Sequence, residues 1–575
     1  MRFSFALIGI FFCSLVHAQA ERKINESRTY ESLIAEYKAL AKSYKQAKLI
    51  EIGKSDIGKP LQLFVIDSDG YFQAKKIDSS KVTILINNGI HPGESCGIDA
   101  SVELAEQLLS DSRYAPILKQ ARILIIPVYN IGGMLNRNSF SRANQNGPKA
   151  YGFRGNAKNL DLNRDFIKAD SKNAKSFNQF FVEWDPDVFV ETHTTNGSDH
   201  TYTLTLISTQ VDKLEPSLAN FLENDFEPEL YQKMADHGQE ITPYVYTLEG
   251  DPKKGIKAFL ETPRYSTGYA ALHHCLGFIT EAHVFKPYEA RVKQTNSFLE
   301  LLILESVEQK EAIHKARKQA VKEIMAKDSI AVQWKLDSAR YKRILFKGYE
   351  KVEKRSKLTG LPLGFYDHEE SYTDSIRFYK YYQAATKIKV PDYYLVPQAY
   401  EKVIQRLAWN GVKYVRLNKD TSIEVSSERI IDYQSPKQPY EGHYLHSGIQ
   451  TRSEKVKLNF YKGDLLVPSK QQKRAYLAHV LEPAAVDGFF AWNFFDGILQ
   501  QKEWFSDYAF EPKAKKLLEE NDSLRIAFEK AKQQQPSLAN SNFEQLYFIY
   551  KRSPYYERSV NRFPIYKIYE KEAVR

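Results

Sequence analysis

Between about residues 50 and 300, short runs of branched apolar residues alternate with segments whose apolar positions recur at helical spacing. Thr83 to Ile90, Ile123 to Tyr129 and Val188 to His193 are nearly continuous in Ile, Leu and Val, while Ala100 to Leu109 reads as a helix. Strands that are apolar on both faces belong to a sheet covered by helices on both sides, so this rhythm predicts an α/β unit with a mostly parallel sheet. From Asn296 to about Lys327 a stripe of Leu301, Leu304, Val307, Ile313, Ala316, Ala320 and Ile324 predicts a helix that closes the unit. The texture then changes. Residues 329–470 hold strand-like pieces rich in Tyr, Val and Ile, with one helical piece from Pro397 to Trp409, and 470–535 reads as helical again.

With 575 residues the chain exceeds what one compact core usually holds. Met1 and Arg2 precede an apolar run from Phe3 to Val16 and the small residues Ala18 and Ala20, the build of a cleavable export signal. The run is shorter than the ~20 residues that span a bilayer, and no later segment is long and apolar enough to cross. The expected division is a signal over 1–20, the α/β unit over 21–327 and an accessory α+β region over 328–575. The expected location is secreted or periplasmic.

An apolar content of 43% and an aromatic content of 13% exclude a disordered chain. The formal charge of +10 is modest. Basic residues sit beside acidic ones, as in Lys351-Val352-Glu353-Lys354-Arg355, which reads as solvated surface rather than a nucleic-acid stripe. After loss of residues 1–20 two cysteines remain, Cys96 and Cys275. Their spacing leaves both a disulfide and two separate buried thiols open.

The chemistry gathers where strands end, which is where open α/β sheets bind ligands. His91-Pro92-Gly93-Glu94 follows the first apolar run, and a histidine and glutamate at that spacing can turn a nitrogen and an oxygen toward one cation. A long polar loop carries Arg142, Arg154 and Asp161-Leu162-Asn163-Arg164-Asp165. The strand Pro186 to His193 ends in Glu-Thr-His, and Leu276 to His283 carries Thr280-Glu281.

Those four motifs, in that order, resemble the zinc carboxypeptidases of the carboxypeptidase A and B type. The resemblance spans roughly residues 50 to 300 and implies that fold. It also implies one Zn²⁺ ion held by His91, Glu94 and His193, with Glu281 as general base and Asn163 and Arg164 gripping the terminal carboxylate of a peptide. Arg154 is the implied cation at the developing oxyanion, with Arg142 in competition. Asp161 is implied to orient a zinc histidine, His91, and Tyr265 to cover the substrate, with Tyr246 and Tyr269 as alternatives. Each is a role those residue types suit: neutral imidazoles leave the ion its positive charge, and a planar guanidinium matches a carboxylate.

His200, His273, His274 and His283 read as core or rim residues. His283, two residues beyond Glu281, is expected to share its side of the strand. The expected activity is that of a zinc carboxypeptidase on peptides with a free terminal carboxylate, cell-wall peptides among the candidates. The same metal trio would also serve an N-acyl amino acid deacylase of the aspartoacylase and desuccinylase kind, and a non-catalytic binding protein could keep the fold. The loop after Asn130 is enlarged, and Thr267 to Leu272 shows no acidic residue, which argues against a preference for terminal Lys or Arg.

Overall fold

Alternate residues of the central strands feed two different cores, which explains why their sequence is continuously apolar. A computed structural model describes residues 25–74, 80–195 and 197–569 of the chain. The expected export signal, 1–20, lies outside the described residues. The strands of the first half are β1 (Ala47–Lys54), β2 (Pro60–Ile66), β3 (Val82–Asn87), β4 (Ala121–Ile126), β5 (Val188–Thr194), β6 (Leu204–Ser208), β7 (Thr242–Pro243), β8 (Ile256–Lys257) and β9 (Leu276–Ala282). All but β8 form one sheet in the order β1-β2-β4-β3-β5-β9-β6-β7. Its centre, β4-β3-β5-β9, is parallel, whereas β1, β2 and β6 run antiparallel to their inner neighbours.

One face of the sheet offers Ile84, Ile86, Ile123, Ile125 and Val190 to a core shared with the helices α1 (Tyr30–Ser43), α2 (Cys96–Ser110) and the long helix Tyr288–Glu308. The other face offers Leu85, Leu124, Ile126 and Phe189 to a core containing Phe177 and Phe181 of α3 (Lys172–Trp184). That second core continues without a break into Tyr394, Val396, Val467, Tyr476 and Trp492. The second half of the chain is thus packed onto the first through fully buried side chains, each worth about 1.5–3 kcal/mol when removed from water. Its strands Tyr393–Val396, Thr421–Gln434, Ser447–Phe460 and Leu465–Pro468 belong to a six-stranded sheet, and a long hairpin pairs Lys342–Arg355 with Pro362–Tyr379. The last two residues of that hairpin, Phe378 and Tyr379, pair in parallel with β8.

Two expectations change in detail, and the open question of the cysteines closes. The helix expected from Asn296 to Lys327 is two helices, Tyr288–Glu308 and Lys310–Ala326. Its first turns bury the polar Arg291, Gln294 and Thr295, so the apolar stripe does not mark them. Much of 482–506 is irregular although 470–535 reads as helical, because Phe489, Phe490 and Trp492 are buried there as loop residues. Cys96 and Cys275 are both free and belong to the cores on opposite faces of the sheet, which keeps their thiols apart. Among the described residues no helix is long and apolar enough to cross a membrane.

Candidate active site

The chain leaves β3 toward β4 on one side and pairs β3 with β5 on the other, opening a crevice at the carboxyl ends of the strands. His91 and Glu94 occupy the loop between β3 and α2. Helix α2 lies close behind them, since a Cβ at Gly97 would sit 2.0 Å from Thr192 Oγ1 on β5. His193 is the penultimate residue of β5, and Glu281 pairs with it across β5 and β9. In a parallel pair, residues in register project to the same face, so three loop or strand ends that are far apart in sequence converge.

One ligand atom from each of His91, Glu94 and His193 falls within 4.8 Å of the others. His91 Nδ1 is 3.4 Å from Glu94 Oε1, and His193 Nδ1 is 3.0 Å from Glu94 Oε2. The other nitrogen of each ring is held by a carboxylate: His91 Nε2 lies 2.8 Å from Asp161 Oδ1 and His193 Nε2 lies 3.0 Å from Glu191 Oε2. Those contacts hold Nε2 of each ring at a carboxylate and turn Nδ1 toward Glu94, so that in the neutral tautomer with its proton on Nε2 each Nδ1 would offer a lone pair to a cation. His91 Nδ1 is buried and has no hydrogen-bond partner among the described residues. A buried, unpaired nitrogen beside a carboxylate and a second imidazole fits a divalent cation of the zinc type.

The electrostatics follow from that crowding. Burial alone would raise Glu94, but His91, Arg142 and His193 outweigh it and hold the carboxyl well below its usual range. For His193, burial disfavours the charged ring, yet the hydrogen bonds to Glu191 and Glu94 raise it well above an ordinary histidine. Glu281 is pushed up to about 7 by burial, with His193 opposing and Glu94 reinforcing the rise.

Asp161 connects the metal-ligand loop to the polar loop. Its Oδ1 accepts the Asn163 N–H at 2.8 Å, and its Oδ2 accepts Arg154 Nε and Nη2 at 3.0 and 2.9 Å. Arg154 also reaches Glu94 Oε1 at 3.5 Å, and Arg142 Nη1 reaches the same oxygen at 3.0 Å, so both candidate arginines are present. Asn163 is buried, and its Oδ1 has no partner among the described residues. The Arg164 guanidinium lies 4.5 Å from the Tyr265 ring centroid. Tyr265 is therefore at the site, whereas Tyr269 is buried with its hydroxyl donated to Asn410, and Tyr246 is exposed.

His283 lies one residue past the end of the strand that carries Glu281. The strand ends at Ala282, and the His283 ring turns to Asp199, which also binds His368 of the long hairpin. Sequence reasoning misses Glu191, although a two-residue period on β5 puts it on the same side as His193. It also misses Tyr244, whose hydroxyl is raised by burial and then by the charges of Glu281 and Glu94, so it stands within electrostatic reach of both. No sequence motif marks Tyr244.

Residues 33–256 match the zinc carboxypeptidase family, a stretch that includes His91, Glu94, Asn163, Arg164 and His193. The chain carries a zinc carboxypeptidase domain. It is in this respect a metallocarboxypeptidase, a hydrolase. The match ends before Glu281. The carboxypeptidase 2 proteins of Trichophyton tonsurans and Trichophyton equinum are each 19% identical over 431 residues, covering 72% of this chain and 74% of theirs. Among solved structures, a carboxypeptidase A from Shewanella denitrificans is 19% identical with a TM-score of 0.38, over 50% of this chain and 69% of that one. A metallo-carboxypeptidase from Pseudomonas aeruginosa is 14% identical with a TM-score of 0.38, over 50% and 70%.

Proposed function

We propose that this chain is an exported metallocarboxypeptidase that holds one zinc ion through His91, Glu94 and His193 and removes residues from peptides with a free terminal carboxylate. Residues 21–327 form the catalytic unit in this reading, and 328–575 are built onto it. The observation that carries it is the pair of imidazoles whose Nε2 atoms are held by Asp161 and Glu191 while both Nδ1 atoms face Glu94. A bound zinc ion would act as a Lewis acid and bring the pKa of a water toward ~7.

Glu281, with a carboxyl near the working pH, takes the proton from the attacking water and passes it to the departing amine. Arg142 and Arg154, which converge on Glu94, face the negative charge that develops on the carbonyl oxygen. Asn163 and Arg164 grip the terminal carboxylate, and Tyr265 covers the bound residue. The Arg164 guanidinium, stacked on Tyr265, is the donor that a subsite awaiting a carboxylate terminus needs.

The test is product analysis by mass spectrometry on free and amidated peptides, before and after chelation and after added zinc. Release of single C-terminal amino acids from free peptides, lost with chelator and restored by zinc, is expected. Activity indifferent to chelator ends the metal assignment. Release of a small acyl acid from N-acyl amino acids instead would replace it with the deacylase.

A further inference from the structure

Arg164, assigned above to the terminal carboxylate, does not hold its position alone. Its Nε donates to the Tyr440 hydroxyl at 2.9 Å and its Nη1 donates to the Asn163 carbonyl at 2.7 Å, while the Tyr265 ring covers one face. A guanidinium has five N–H groups on two usable edges. Tyr440 takes the Nε N–H and the Asn163 carbonyl takes one of the two Nη1 N–H groups, with Asp161 Oδ2 3.8 Å from Nη1; Nη2 and the second Nη1 N–H are what remain to meet a carboxylate with two parallel hydrogen bonds.

Tyr440 comes from the second half of the chain and starts a tight turn, Tyr440 to His443. The Tyr440 N–H donates to the His443 carbonyl at 2.6 Å, and the His443 N–H returns to the Tyr440 carbonyl at 3.0 Å. The two central residues, Glu441 and Gly442, have φ of 51° and 80°. A glutamate in the left-handed region is strained and persists only where its surroundings impose the conformation. They do so here, because Glu441 Oε2 accepts the Asp161 N–H at 2.6 Å. His443 Nε2 completes the attachment, 2.7 Å from Asp170 Oδ2.

Three residues of one turn therefore hold three positions of the polar loop: Arg164, Asp161 and Asp170. The turn is itself rigid. The Tyr440 ring stacks on Trp492 at 6.2 Å with 19° between planes, and Arg264 lies 5.7 Å from the Tyr440 ring centroid while its Nε and Nη2 engage Asp487.

We propose that this turn is a wall of the terminal-carboxylate subsite and that Tyr440 is a positioning residue, orienting Arg164 for two-point contact with the substrate terminus. The inference rests on the reading of Arg164 given under the proposed function. It assigns the second half of the chain a part in substrate recognition, so that exopeptidase selectivity is built jointly by the two halves.

The experiment uses the full zinc-loaded chain and N-blocked dipeptides carrying either a free or an amidated C-terminus. Tyr440→Phe keeps the ring stack and removes the hydroxyl. Loss of one hydrogen bond to a charged group predicts a rise in KM of about tenfold on the free acid, kcat within about twofold, and no change on the amide. Glu441→Ala, which removes the acceptor for Asp161, shifts KM in the same direction, and Glu441→Gln restores it. Because KM does not depend on the fraction of molecules folded, a less stable variant still reports on substrate binding. Arg164→Ala separates the two levels. If it discriminates free from amidated peptides while Tyr440→Phe leaves KM unchanged, Tyr440 is a bystander and the inference is overturned. If Arg164→Ala affects both substrates alike, the assignment of Arg164 itself is wrong.

Discussion

Glu281 stands beside His193, paired with it in the register of two parallel strands whose carboxyl ends open on the crevice. Because the pairing is set by backbone hydrogen bonds inside a doubly covered sheet, the proposed base is held at a fixed position relative to a proposed metal ligand. Replacing Glu281 by Gln keeps the shape and removes the proton acceptor. Turnover is expected to fall by about 10²–10⁴-fold with zinc content unchanged by elemental analysis, and a variant of near-normal rate removes Glu281 from the mechanism.

The carboxylates behind the two rings make a separate prediction. Glu191 accepts from His193 and also from Asn87 Nδ2 at 2.9 Å, and Asp161 accepts from His91. Substituting Glu191→Gln or Asp161→Asn is expected to weaken zinc binding by about 10–100-fold, read by competition with a chromophoric chelator. Affinity equal to the parent for both variants shows that the rings need no outer partner.

Arg142 and Arg154 both reach Glu94 Oε1, but Arg154 is tied through Nε and Nη2 to the charged Asp161, whereas Arg142 gives only its Nε to the neutral Gln145. Arg142→Ala is therefore expected to lower kcat more than Arg154→Ala, by the 10²–10³-fold range typical of about one lost oxyanion donor. The reverse ranking assigns the role to Arg154.

Gly97 predicts a packing defect. A Cβ there would lie 2.0 Å from Thr192 Oγ1 and 2.2 Å from Thr192 Cβ. Gly97→Ala should destabilise by about 1–3 kcal/mol, seen as a lower thermal midpoint. Thr192→Ala should not rescue it, since the Cβ remains, and full rescue would show that the contact is relieved at the side-chain tip.

Acidification should loosen the seam between the halves. Burial depresses His274 to about 4 and His479 to about 3, from an ordinary 6.5. Between pH 6.5 and 4 the unfolded chain binds protons that these folded rings refuse, so stability falls as pH falls, by about 1–2 kcal/mol per ring at pH 5. Glu281, raised to about 7, acts in the opposite sense, so the readout is a difference. The drop in thermal midpoint from pH 7 to pH 5 should be smaller in His479→Gln than in the parent chain, and an equal drop removes His479 from the account.

Local pattern was enough for most of the elements and for many of the side chains that the fold brings together. Ile84, Leu85 and Ile86 in succession announce a doubly covered strand because each neighbour faces a different core. His91 and Glu94 are legible because a ligand pair three residues apart sits on one short loop, and His193 and Glu281 because a strand end is where an α/β sheet exposes side chains. Glu191 was within reach of the same two-residue period.

What the chain alone leaves open depends on contacts between positions far apart in the sequence. Whether Cys96 and Cys275 meet was decided by the sheet standing between them, and the direction of His283 by Asp199, 84 positions away. The partnership of Tyr440 with Arg164 bridges 276 positions. No periodicity or motif encodes such a contact, because it follows from how the second half seats on the core beneath β3 and β5. Sequence thus named the candidate groups for the chemistry, through local spacing and the alternation of a strand. Tertiary packing decided which of them are oriented, paired and buried, because those properties belong to the space between elements.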